Sequence, residues 1–170
     1  VFALESYNQQ LNDLLQEEAD LQFAQFTNET AYRIGYRIVQ KATWENKSVT
    51  VDIQRNGQLL FHCAMDGKTL NNARWIKRKN KVVHHFGRSS YYMGVLLRSK
   101  QTTLLEWAFL DPNEYAAVGG AFPVIIKDVG VVGTVTVSGL PQEEDHGLVT
   151  SVLREFCCTP AGQEPEPASN

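Results

Sequence analysis

The chain has 170 residues, 43% of them hydrophobic, which suits one domain with a real core; no apolar run approaches the ~20 residues that a membrane-spanning helix needs. A formal net charge of −3 and a pI of about 5.8 argue against nucleic acid as a partner. Cys63 and the adjacent Cys157 and Cys158 have neither a disulfide-framework pattern nor zinc-ligand spacing, so no metal site is expected and a reducing, cytoplasmic setting fits best.

The first residues carry no basic-then-apolar leader pattern. Leu4, Tyr7, Leu11, Leu14 and Leu21 recur at helical spacing, interrupted by Glu18, and predict an amphipathic helix over 1–22. It can cover its own domain or a neighbouring subunit. Thr27 or Asn28 can cap a second helix whose apolar face is Ala31, Ile34, Gly35, Ile38, Val39 and Ala42. Val49, Val51 and Ile53 then alternate with polar residues as a strand requires, and Asn56-Gly57 is a strong hairpin turn. A regular register would pair Arg55 with Gln58, Ile53 with Leu60, Asp52 with Phe61 and Val51 with His62. His62 would then share the apolar face as a core histidine, and Asp52, on the other face, should not form a dyad with it.

Asn72 to Phe86 reads as a helix with a cationic stripe, Arg74, Arg78, Lys81 and His85, ended by Gly87. Ser89 or Ser90 can start the next helix, to Leu97, and Leu104 to Phe109 reads as a strand. Ala121 to Ile126 and Val131 to Val137 read as the last strands, with a bulge or close backbone approach at Gly133. Pro141 opens a final helix with Glu143, Glu144 and Asp145 in its first turn, where the helix dipole favours negative charge. From Thr159 to Asn170, Pro, Gly, Glu and Ser predict a disordered tail. The expected fold is α+β, with about five antiparallel strands flanked by helices over 23–158.

Charge is unevenly distributed. Gly67 to Leu105 contains nine of the sixteen Lys and Arg residues and no Asp or Glu. Within that block Arg78, Lys79 and Arg88 can grip an anionic ligand, or pair with Glu143, Glu144 and Asp145 in the same or a neighbouring subunit. His84 and His85 sit among cations and are expected to be solvated. His146 follows the acidic helix start, where it is either a site residue or a structural hydrogen-bonding group.

Several blocks carry a resemblance: Val51-Asp52-Ile53, Trp75 to Lys79, Phe86 to Ser90, Tyr115-Ala116 with Gly119-Gly120-Ala121, and Ser138 to His146. In this order and spacing they resemble the cytosolic branch of the PduO/GlcG-like superfamily, often described as a haem-degrading domain. The resemblance implies a layered sheet-and-helix domain and assembly into rings or stacked dimers. It also implies ligands such as haem, cobalamin-related compounds or iron, but no residue motif for catalysis.

Two functions follow. One is a homo-oligomer, larger than a dimer, that binds haem or a related small anionic cofactor near Arg78, Lys79 and Arg88, with His146 close by. The other is a non-enzymatic scaffold that docks protein partners through its N-terminal helix or charged faces.

Overall fold

The computed structural model describes residues 2–157, and side chains from Glu5 onward; the predicted tail over 159–170 lies outside the described residues. The elements are α1 (Phe2–Asp20), β1 (Gln22–Phe23), α2 (Asn28–Trp44), β2 (Thr50–Arg55), β3 (Gln58–Ala64), α3 (Leu70–Phe86), α4 (Ser90–Ser99), α5 (Leu104–Ala108), β4 (Ala121–Ile126), β5 (Gly130–Ser138) and α6 (Gln142–Cys157). Local chemistry accounts for most of the boundaries. Thr27 and Thr69 close capping boxes at the starts of α2 and α3. Gly87, in the left-handed conformation, ends α3 as its position predicts.

The strands form one sheet in the order β1-β4-β5-β2-β3. Neighbours pair antiparallel except β1, which runs parallel to β4. This α+β layering is the expected class, with one exchange of strand. The segment Leu104 to Phe109 is the short helix α5 rather than a strand. Thr103 accepts from the Glu106 N–H while the Glu106 carboxylate accepts from the Thr103 N–H and hydroxyl, a local box that apolar content does not reveal. The fifth strand is β1, whose two residues are too few to show a period.

Sheet alternation sorts the faces. Val51, Ile53, Phe122, Val124, Val135 and Val137 meet Ile34 and Ile38 of α2 and Val149, Val152 and Leu153 of α6 in the main core. The opposite face is polar at β2 and β5, where Thr50, Asp52, Thr134 and Thr136 are all buried, partly beneath α3. Val82 of α3 joins Met93, Leu97 and Leu104 in a second apolar cluster. The N-terminal helix α1 packs in cis beside α4. Leu14 and Leu21 are buried, and the interrupting Glu18 accepts from Arg88 (2.9 Å) and from the backbone N–H of Ser89 (2.8 Å), the residue that caps α4.

The β2–β3 register departs from the regular hairpin. The turn sits where Asn56-Gly57 places it, with φ of 49° and 79°, and Arg55 pairs with Gln58. Gln54 then pairs with Leu59 but Ile53 with Phe61, so Leu60 is an extra residue on β3. Beyond this bulge every β3 side chain changes face relative to the regular pairing. A matching irregularity between Val124 and Ile125 leaves Val132 extra on β5, and Asn56 N–H bonds the Val132 carbonyl at 2.8 Å.

Gly133 lies where these irregular strands meet. A Cβ there would stand 1.9 Å from the Gln54 carbonyl oxygen. Because the obstacle is backbone, Gly133→Ala should destabilise the fold by about 3 kcal/mol or more, read as a lower urea midpoint at unchanged m-value. An unchanged midpoint would show that β2 and β5 separate freely here.

Candidate functional site

The residues singled out by charge take separate paths. Lys79 is 2% exposed. Its Nζ lies 3.0 Å from Asp145 Oδ2 and donates to the Val137 carbonyl at 3.0 Å. Asp145 Oδ1 accepts from the Leu140 N–H at 3.0 Å, so this carboxylate locks the start of α6 as well as the lysine. Burial pushes the Lys79 pKa down and the Asp145 pKa up, because each charged form loses water; their mutual attraction opposes both shifts.

Arg78 is stacked over Trp75 at 4.4 Å and donates through Nη2 to the Pro112 carbonyl at 2.7 Å. Arg88 holds Glu18 of α1. His146 is 6% exposed, its Nε2 is 2.6 Å from Glu17 Oε1, and its buried Nδ1 has no partner. Glu144 pairs with Lys47 at 3.3 Å, and Glu143 is exposed. Of the three acids, Asp145 pairs with the expected basic group, through Lys79 of the same chain. Arg78, Lys79, Arg88 and His146 each answer to a different partner rather than converging on one pocket.

The structure instead brings together two residues that the regular register keeps apart. Past the bulge, Asp52 pairs with His62, and His62 Nδ1 is 3.0 Å from Asp52 Oδ2. The expectation of no dyad, and of an apolar-face core histidine, is therefore corrected: the extra Leu60 turns His62 onto the polar face. Asp52 is buried at 5% exposure, and its Oδ1 also accepts from Gln54 Nε2 (2.8 Å) and Asn80 Nδ2 (3.4 Å). Asn80 Oδ1 in turn accepts the Thr136 hydroxyl. This chain fixes Asp52 as an acceptor. Against that acceptor His62 donates from Nδ1, and among the described residues no hydrogen bond engages its Nε2, on a side chain that is 37% exposed.

The pairing fixes which residues share this face. On β3, Leu59 and Ala64 pair with Gln54 and Thr50 of the polar sheet face, and both are exposed. On α3, Ala73, Lys77 and His84 recur at helical spacing from Asn80, with Lys77 and His84 exposed as expected for His84. The buried hydroxyls of Thr50 and Thr134 on this face have no partner. Chemically, a carboxylate-backed imidazole with a free Nε2 is a proton acceptor or a single metal ligand. Among the described residues no group of three or more His, Cys, Asp or Glu can hold a bare metal ion.

The buried pair yields two expectations. Asp145→Ala strands an ammonium in the core and should cost about 3–5 kcal/mol, whereas Lys79→Met with Asp145→Leu should cost much less. Denaturant titration of both variants checks this; equal losses would mean that the pair adds nothing beyond packing. The Lys79 pKa is lowered in the fold, so above that folded value the unfolded chain binds more protons. Its contribution to stability thus rises with pH up to the ordinary lysine value, and Lys79→Met should remove that rise.

Comparison with known proteins places this geometry. A family model described as "Haem degrading protein HbpS-like" matches residues 26–154. The UPF0303 protein SCO2848 of Streptomyces coelicolor is 48% identical over 85% of this chain and 91% of its own length. The crystal structure of the Ybr137w protein superposes with a TM-score of 0.81 at 35% identity, covering 87% of each chain. The crystal structure of a PduOC:haem complex shares the fold alone, with a TM-score of 0.63 at 15% identity over 75% of this chain and 92% of that one. With the family model matching α2 to β5 and nearly all of α6, the chain belongs to the HbpS-like haem-degrading protein family.

Proposed function

We propose that this protein binds haem, with His62 as the residue that would hold the iron and Asp52 as the group that would orient it. The observation that carries the reading is a His62 side chain 37% exposed, with Nε2 unengaged among the described residues while Nδ1 is held by a buried carboxylate. A second-shell carboxylate raises the basicity of a ligating imidazole and fixes its tautomer. Leu59 and Ala64 would give the macrocycle an apolar bed beside that nitrogen, and Lys77 is a cation for a propionate. Bound haem would supply a redox-active iron; this chain's residues would hold, orient and partly shield it. The family description and the haem complex of the PduOC relative support this reading.

Self-association belongs to the same proposal. Tyr32 and Tyr36 form a stacked, exposed pair on α2, and Trp107 and Phe109 are exposed at α5 and its C-cap. A second copy of this chain is the partner that assembly of the family's domain implies. Scaffolding through a free N-terminal helix is less well supported, because α1 turns Leu14, Glu17 and Glu18 onto its own domain. Free Cys63 supports a reducing, cytoplasmic setting.

Titration with hemin should give a saturable, stoichiometric Soret shift that His62→Ala abolishes and Asp52→Asn weakens by about 10–100-fold. A full shift in His62→Ala, with native circular dichroism, would overturn the assignment. Light scattering after size exclusion should report a mass above that of a dimer, reduced by Tyr32→Asp with Tyr36→Asp. A monomer mass at micromolar protein would remove the oligomer from the proposal.

A further inference from the structure

Helical geometry turns the cationic stripe of α3 away from His62. Asn80 faces Asp52, and counting back at roughly 100° per residue places Arg78, Arg74 and Asn71 on the far side of the helix. There the loop after α5 runs back along α3: Ala116 N–H bonds the Arg78 carbonyl at 3.1 Å, and Lys81 pairs with Glu114. Between helix and loop lies a cleft of about 210 Å³ lined by Asn71, Arg74, Trp75, Arg78 and Asn113.

We propose that this cleft is a binding site for a small oxyanion, the carboxylate or phosphate head of a small molecule, separate from the His62 site and independent of the haem reading. Arg78 is already positioned by Trp75 on its face and Pro112 at Nη2, while its buried Nε–H has no partner. A guanidinium fixed on two sides with a donor left over is preorganised for a third, anionic acceptor. Arg74 is exposed and makes no ion pair among the described residues, so it can close on the ligand from the next turn. Asn71 and Asn113 add amides at the rim. No carboxylate lines the cleft. Of the two nearby acids, Asp111 accepts the Asn113 N–H inside its own turn, and Glu114 is taken by Lys81. Two arginines therefore line a cleft with room for an oxyanion and the small molecule that carries it.

Trp75 is the reporter. Trp44 and Trp107 are exposed, so Trp44→Phe with Trp107→Phe leaves Trp75 as the single tryptophan of this three-tryptophan chain. Inorganic phosphate and succinate, each titrated at ionic strength matched with potassium chloride, are the probes. A saturable change in Trp75 emission with either probe supports the site. Response to phosphate alone assigns a phosphoryl head, to succinate alone a carboxylate, and to both the shared oxyanion chemistry. Arg74→Gln should weaken the response about tenfold or more, as loss of a charge-assisted contact does, and Arg74→Lys by less. Lys100→Gln, which removes an exposed cation outside the cleft, should leave it unchanged. A change no larger than that with chloride, or one undiminished in Arg74→Gln, would overturn the proposal.

Discussion

The buried ammonium of Lys79 is the constraint on which the layout depends. A charge with 2% exposure is tolerated only because two oxygens meet it, the Asp145 carboxylate and the Val137 carbonyl. Those oxygens belong to the start of α6 and to β5, so one side chain of α3 ties a helix on each face to the sheet between them. Gly120 completes the arrangement. At φ 133° it leaves the space that a Cβ would take from Lys79 Nζ and the Val137 carbonyl, 2.5 and 2.4 Å away. Once α3 is pinned this way its rotation is set, and with it the placement of Asn80 over Asp52 and of Arg78 toward the loop.

The bulge in β3 acts at the next level. A regular two-residue hairpin would keep Asp52 and His62 on opposite faces and leave a buried carboxylate to be neutralised by other means. One extra residue, Leu60, converts that problem into an ordered polar chain from Thr136 through Asn80 and Asp52 to His62. The chain runs from a fully buried hydroxyl to a half-exposed imidazole. This is a gradient of solvation suited to holding one nitrogen in a fixed orientation without immobilising what binds to it.

The legible part of the sequence was local. Capping threonines, the Asn56-Gly57 turn, the alternation in β2 and the apolar stripes of α2 and α6 each report on a few residues, and they located most elements. Leu104 to Phe109 is misleading because six residues are too few for periodicity to separate strand from helix, and Thr103 with Glu106 is the better signal. Register was out of reach for a different reason. The bulge depends on β5, where Gly133 and the extra Val132 let Asn56 reach across, and β5 lies more than seventy residues later in the chain. The candidate site inherited that blindness. Charge composition correctly marked α3 as unusual but could not say that its cations point in three directions.

Those directions bear on function. Side chains on a helix turn by roughly 100° per residue, so α3 presents distinct faces, each with its own chemistry: Lys79 inward as a structural ion pair, Asn80 toward Asp52, Arg74 and Arg78 toward the loop. The absence of acidic residues from Gly67 to Leu105 then has a physical consequence. A cation of this block that forms an ion pair must take its counter-charge from another element or from a ligand. Asp145, Glu18 and Glu114 satisfy Lys79, Arg88 and Lys81 from α6, α1 and the loop after α5, which binds the fold together at long range. Arg74 and Arg78, by contrast, line one cleft together. A block of one sign can thus act as both staple and receptor: its buried members hold the layers, and its unpaired members are left facing an anion that the chain itself does not supply.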